Sequence, residues 1–134
     1  MAEPCYLRFP SIRGEVLAFV ADDDVWLAPA TGGTARRLTS DRAPGSFTAL
    51  SPSGEWVAYA SRRDGHPEVF LVSTVGEEVR RLTFFGDDGT HPIGWTPDGR
   101  VLLVSSAGEP FGSGTWGYSV AVDGTGLERL PYGP

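Results

Sequence analysis

The chain contains no lysine; all 11 of its basic residues are arginine, against 17 acidic ones, for a formal net charge of -6. A nucleic-acid scaffold needs a basic face to neutralise phosphates, so this balance argues against one. It argues equally against adsorption to an anionic membrane surface. No apolar run approaches the ~18 residues that a membrane span requires. Met1 to Pro10 has no basic segment followed by an apolar one, so no secretory leader is read there and a cytoplasmic setting is the expectation. Cysteine is nearly absent. The single Cys5 cannot close an intrachain disulfide, and no histidine or family signature beside it marks a reactive thiol. Helix-period apolar segments are missing as well, while 18 glycines and 11 prolines punctuate the chain. An all-β chain with many turns is expected, long enough to bury roughly two thirds of its unfolded surface.

What is present is a repeat. Ser51-Pro52-Ser53-Gly54-Glu55 precedes the apolar run Trp56-Val57-Ala58-Tyr59-Ala60, and Thr96-Pro97-Asp98-Gly99-Arg100 precedes Val101-Leu102-Leu103-Val104-Ser105. Arg13-Gly14-Glu15 stands in the same relation to Val16-Leu17-Ala18-Phe19-Val20. Proline fixes φ at the second turn position, Asp or Ser bonds the backbone, and glycine takes positive φ, which together specify a tight hairpin. A second apolar strand then runs toward glycine: Val25-Trp26-Leu27-Ala28, Val69-Phe70-Leu71-Val72 and Tyr118-Ser119-Val120-Ala121-Val122. A short strand closes each unit: Arg36-Arg37-Leu38-Thr39, Arg80-Arg81-Leu82-Thr83 and the degraded Glu128-Arg129-Leu130-Pro131. Leu38 and Leu82 are 44 residues apart, and Leu82 and Leu130 are 48 apart.

A period near 45 with four short strands per unit predicts propeller blades. The chain, residues 1–134, reads as a partial β-propeller of three four-stranded antiparallel blades, half of a six-bladed ring. Blade one covers about residues 6–40, blade two about 46–84 and blade three about 91–131. Middle strands of stacked blades are buried on both faces, so Phe19, Trp26, Trp56, Tyr59, Phe70 and Trp95 are expected in the core between blades.

No residue emerges as catalytic, cofactor-binding or metal-ligating. Asp22-Asp23-Asp24 is the densest acidic cluster, but its spacing does not match a calcium loop, and an exposed hairpin is the simpler reading. Gly112 to Gly117 has the letters of a dinucleotide fingerprint, yet a strand follows it rather than the helix that would hold a pyrophosphate. His66-Pro67 and His91-Pro92 are turn positions at strand entries, and no serine-elbow, zinc or Cys-x-x-Cys motif accompanies them. Placement on the end surfaces of the propeller is expected for both histidines. Arg36, Arg37, Arg80, Arg81 and Arg129 lie on outermost strands, where charge protects an edge from pairing or serves a docking partner.

Thr96-Pro97-Asp98-Gly99 with Arg80-Arg81-Leu82-Thr83 resembles the TolB-like or PD40 blade. The opening Tyr6-Leu7-Arg8-Phe9-Pro10-Ser11-Ile12, then Asp22-Asp23-Asp24-Val25-Trp26 and Gly32-Gly33-Thr34, is similar to the start of bacterial tricorn-type proteases, as are Gly94-Trp95-Thr96-Pro97 and the closing Leu130-Pro131-Tyr132-Gly133-Pro134. That resemblance implies a non-catalytic segment of a serine peptidase, gating peptide passage and docking partners, with the catalytic residues outside these positions. Two alternatives stay open: a stand-alone TolB-like protein-interaction module, and the N-terminal propeller of another hydrolase of prolyl oligopeptidase or amidohydrolase type. Under each, the expected partners are peptides or proteins, with further blades or a second copy completing the ring.

Overall fold

The computed structural model describes residues 6–41, 43–76, 78–110 and 114–133. Among the described residues, twelve strands form three four-stranded antiparallel sheets. Sheet one comprises β1 (Arg8–Arg13), β2 (Val16–Ala21), β3 (Asp24–Pro29) and β4 (Arg36–Arg37). Sheet two comprises β5 (Gly45–Leu50), β6 (Trp56–Ser61), β7 (Glu68–Ser73) and β8 (Val79–Arg81). Sheet three comprises β9 (His91–Trp95), β10 (Val101–Ser105), β11 (Trp116–Val120) and β12 (Glu128–Arg129). Each sheet is a simple meander in chain order. The described residues contain no α-helix, and none is long and apolar enough to cross a membrane.

The hairpins form as their residues dictate. The Ser51 side chain accepts from the Trp56 N–H at 3.1 Å, while Gly54, at φ +77°, donates back to the Ser51 carbonyl at 3.0 Å. Thr96 caps Arg100 in the same way at 2.9 Å, with Gly99 at φ +87°. The second of these turns is one residue shorter, so Trp56 and Arg100 occupy equivalent positions although Gly54 and Gly99 are 45 residues apart.

The sheets stack face to face, and alternation along each strand decides which side chain meets which neighbour. Ala18 and Val25 of sheet one meet Val57, Tyr59, Phe70 and Val72 of sheet two. Ala58, Val69 and Leu71 on the other side of sheet two meet Trp95, Val101, Leu103 and Val120 of sheet three. Contacts between sheets are densest along β1, β5 and β9, which identifies these as the inner strands of a partial propeller. Tyr59, Phe70 and Trp95 lie in these layers as expected, and Trp56 packs against the second. Phe19 is buried as expected and Trp26 half-buried, but their placement differs. They are cross-strand partners on the face of sheet one that points away from sheet two, outside both layers.

The acidic cluster is not a simple exposed hairpin. Asp22 and Asp23 make the β2–β3 turn with φ of +49° and +68°, but Asp24 is buried. Its Oδ1 accepts from the Thr39 hydroxyl at 3.0 Å, and Thr39 in turn accepts from the Val25 N–H at 2.9 Å. Sheet two repeats this clasp more fully. Glu68, only 1% exposed, accepts from Thr83 Oγ1 at 2.7 Å, Phe85 N–H at 3.0 Å, Gly86 N–H at 2.9 Å and Arg81 at 3.2 Å. Every donor around this buried carboxylate is matched, which is what burial of a charge requires. In sheet three the acid position is Trp116, and Arg129 lies over its ring at 4.5 Å. The Arg-Leu-Thr strand is therefore a latch that fastens β4 and β8 to their sheets. Asp87 organises the entry to sheet three, accepting from Gly89 N–H at 3.1 Å, Ser106 N–H at 2.9 Å, Ser105 Oγ at 3.1 Å, and the Thr90 and Ser106 hydroxyls.

Two predictions follow from these anchors. Glu68→Ala leaves four donors without their acceptor, the Thr83 hydroxyl among them buried, and should lower unfolding free energy by about 3 kcal/mol, read from the denaturant midpoint. A loss below about 1 kcal/mol would contradict the latch, by the ordinary worth of one exposed hydrogen bond. Burial pushes the Asp87 pKa up, but the Ser106 and Thr90 hydroxyls and the Gly89 and Ser106 amides outweigh it and hold the carboxyl below its usual range. Its stabilising contribution is thus full above the ordinary carboxylate pKa and is lost as pH falls below it. Thermal melts of Asp87→Asn should be lower than wild type at neutral pH, with the gap closing as pH falls from the ordinary carboxylate range through the lowered pKa.

Candidate functional site on the inner strands

Each inner strand carries an irregularity at the same place. The β1–β2 register slips between Arg8 and Ser11, the β5–β6 register between Ser46 and Ala49, and the β9–β10 register opposite Leu102 and Leu103. These are bulges, which bend a strand and re-aim its side chains. Phe9 and Phe47 sit in the first two with φ of +50° and +56°. A β-carbon disfavours that left-handed region by about 1–2 kcal/mol, so surrounding contacts must hold both residues there. The Phe9 carbonyl accepts from the Thr48 hydroxyl, and Ser11 Oγ accepts from the Leu50 N–H at 3.0 Å. On the other side, Trp95 Nε1 donates to the Ala49 carbonyl at 2.9 Å. The three inner strands are thereby tied in order.

The outcome is an aromatic row across three blades. The Phe9 and Phe47 ring centroids are 4.8 Å apart, and Phe47 stacks on the His91 imidazole at 4.0 Å with 21° between planes. With Pro10, Thr48, Pro92 and Ile93 they line an open groove of about 380 Å³. Phe47 remains 40% exposed and Ile93 59% exposed, so the groove is an apolar surface open to solvent. Burial lowers the His91 pKa below its ordinary 6.5, more than the Gly89 backbone raises it, which leaves the ring neutral at pH 7. A neutral stacked imidazole suits contact with apolar groups.

His91 therefore belongs to the inner groove rather than to an end surface. His66 is elsewhere, in the exposed β6–β7 connection, 3.4 Å from Asp88. Neither histidine has a hydroxyl or thiol nucleophile among its hydrogen-bond partners in the described residues. Among those residues no group of three or more His, Cys, Asp or Glu side chains is placed to hold a metal ion. Cys5 and positions 112 and 113 of the glycine-rich stretch lie outside the described residues.

The outer-strand arginines are engaged within the chain rather than serving only as edge charge. Arg37 faces Asp24 at 3.9 Å, Arg81 binds Glu68 and Asp64, and Arg80 stacks over Trp56 at 4.6 Å. The aromatic row escaped sequence reasoning because strand alternation says nothing about bulges. The available signal was a ring ahead of each first hairpin: Phe9 two residues before Ser11, Phe47 two before Ala49, and His91 three before Gly94.

The stack predicts a measurable titration. The NMR pKa of His91 should lie below 6.5 and move up toward it in Phe47→Ala, as the ring regains water. An unchanged value would mean that Phe47 does not shield it. The same sign makes His91 favour folding above pH 6.5, with that contribution lost as pH falls through its lowered pKa.

Comparison with known proteins places this geometry. Residues 4–134 match the tricorn protease N-terminal beta propeller domain family. "Tricorn protease homolog 1" of Streptomyces coelicolor is 46% identical over 133 residues, covering 99% of this chain and 12% of the relative. The "Putative Tricorn-like protease N-terminal subunit" of Sulfurisphaera tokodaii is 32% identical over 133 residues, covering 96% of this chain and 67% of that protein. The crystal structure of the tricorn protease superposes with a TM-score of 0.85 at 27% identity, over 98% of this chain and 14% of that one. TolB from Acinetobacter baumannii superposes at 0.71 with 21% identity, a likeness of fold alone. The chain spans only 12% of the Streptomyces relatives it matches. With its three meander sheets and tied inner strands, the chain belongs to the family of tricorn protease N-terminal β-propeller domains.

Proposed function

We propose that this chain is a non-catalytic propeller segment of a tricorn-like serine peptidase, whose inner strands line a passage for peptides. The observation that carries the reading is the Phe9–Phe47–His91 row. It is apolar, open to solvent, and held by strained bulges on the strands nearest the propeller axis. Strained backbone concentrates where a surface is used. An extended peptide lying along the axis would find rings to stack on and exposed inner-strand backbone to bond. The reading sets the segment in the cytoplasm, with peptides and proteins as partners and neither nucleic acid nor membrane among them. Further blades, or a second copy, would complete a six-bladed ring around the axis.

The Sulfurisphaera relative supports a variant of this reading. That protein is named as an N-terminal subunit, and this chain covers 67% of it. A propeller made as a separate subunit would dock onto the peptidase rather than precede it in one polypeptide.

Titration of an unlabelled, unstructured peptide onto the 15N-labelled chain tests the reading. Amide shifts should concentrate at Phe9, Phe47, His91 and Ile93, Phe47→Ala should weaken binding about tenfold through the lost stacking, and the peptide should emerge uncleaved. Shifts confined to the outer strands, or cleavage by the chain, would contradict it.

A further inference from the structure

Neighbouring sheets are tied at their outer edges by a repeated contact. Arg36 of β4 donates to the Thr74 carbonyl, just past β7. Arg80 of β8 donates to the Val122 carbonyl, just past β11, at 3.0 Å. Strand register makes the two arginines equivalent: Arg36 stands opposite Leu27 of β3, and Arg80 opposite Leu71 of β7. Sheets one and two thus each reach forward with a guanidinium to the carbonyl just past the next sheet's third strand, a charge-assisted bond between separate blades.

The third sheet breaks the pattern. Opposite Ser119 of β11, at the same register position, stands Glu128. The residue that supports the reaching arginine changes with it. Arg80 stacks on Trp56, but the position equivalent to Trp56 is Arg100, which turns onto Ser119 Oγ at 3.2 and 3.1 Å and the Gly126 carbonyl at 2.6 Å. The leading edge of sheet three therefore presents a carboxylate where the two preceding edges present a guanidinium. On sheet one, the position that would receive the contact from a preceding blade is Ala30. Its N–H bonds the Glu15 carbonyl at 2.7 Å, as the Thr74 N–H bonds that of Glu55 at 3.0 Å.

A second copy closing the ring about a two-fold axis would set Glu128 against the Ala30 carbonyl. Two acceptors would then face each other with no proton between them, and the mismatch would occur at both identical junctions. The matching regions of the Streptomyces relatives are only 12% of those chains, so proteins of this family carry ample further sequence to supply another blade. We infer that the open face of sheet three receives a blade presenting a cationic side chain opposite Glu128, and that a second copy of this chain is not that blade. This inference rests on the reading that the ring is completed by another blade.

Sedimentation of the reduced chain tests it, with Ala30→Arg supplying the missing cation on a second copy. The wild-type chain should sediment as the 14.3 kDa monomer. Ala30→Arg should self-associate with a constant at least about tenfold above the wild-type limit, weakening as salt rises. Adding Glu128→Ala should return that variant to the monomer. Both positions are exposed, so the fold should be unaffected. A wild-type dimer, an Ala30→Arg chain that stays monomeric, or association that survives Glu128→Ala would each overturn the inference. None of those outcomes would touch peptide binding at Phe47, which is measured separately.

Discussion

The structure depends on covering both faces of an apolar sheet. Sheet two meets this constraint fully: every residue of β7 is buried, and Val57, Val69, Leu71 and Val72 have no exposed surface. It does so because sheet one covers one face and sheet three the other. Sheets one and three are each covered on one face by sheet two. The outward faces hold Phe19 and Trp26 on sheet one, and the half-buried Leu102 and Val104 on sheet three. Apolar burial at ~25 cal/mol per Å² makes the two shared layers the main source of stability. The three sheets are therefore parts of one core, and the middle one holds its neighbours.

Polar contacts refine what burial sets up. Two of the three outer strands are short and exposed, and apolar packing alone holds them weakly. The buried acids Asp24 and Glu68 fasten the first two through Thr39 and Thr83. Sheet three uses Arg129 over Trp116 instead, and Gly133 lies so close to that indole that a β-carbon there would fall 2.2 Å from ring carbons. Two chemistries thus serve one geometric task, a buried carboxylate network and a cation–π contact. The inner strands are tied differently again, by hydroxyl and indole bonds between neighbouring blades that hold Phe9 and Phe47 in strained backbone.

Much of the architecture was legible in the sequence, because hairpin chemistry and the apolar alternation both recur at one period. Trp56–Ser61 and Val101–Ser105 follow from the turns before them. The third strand of sheet three was less legible. It starts at Trp116 rather than Tyr118 and ends at Val120, because Ala121 already begins the turn closed by Gly124. Asp24 reads as part of an exposed acidic turn and nothing in the sequence singles out Glu68, since no linear pattern tells a buried acid from an exposed one until its donors converge. The groove was hidden for a related reason. An extra residue in a strand changes where Phe47 points without changing composition, and His91 before a proline looks like any turn histidine.

Native-state hydrogen exchange tests the central role of sheet two most directly. Amides of β6 and β7 at Tyr59 and Leu71 should exchange slowest and only through global unfolding, while those of β2 and β10 exchange earlier through separate openings of sheets one and three. Equal or greater protection at Phe19 or Leu103 would contradict the account, because it would mean that an outer sheet holds itself without the middle one.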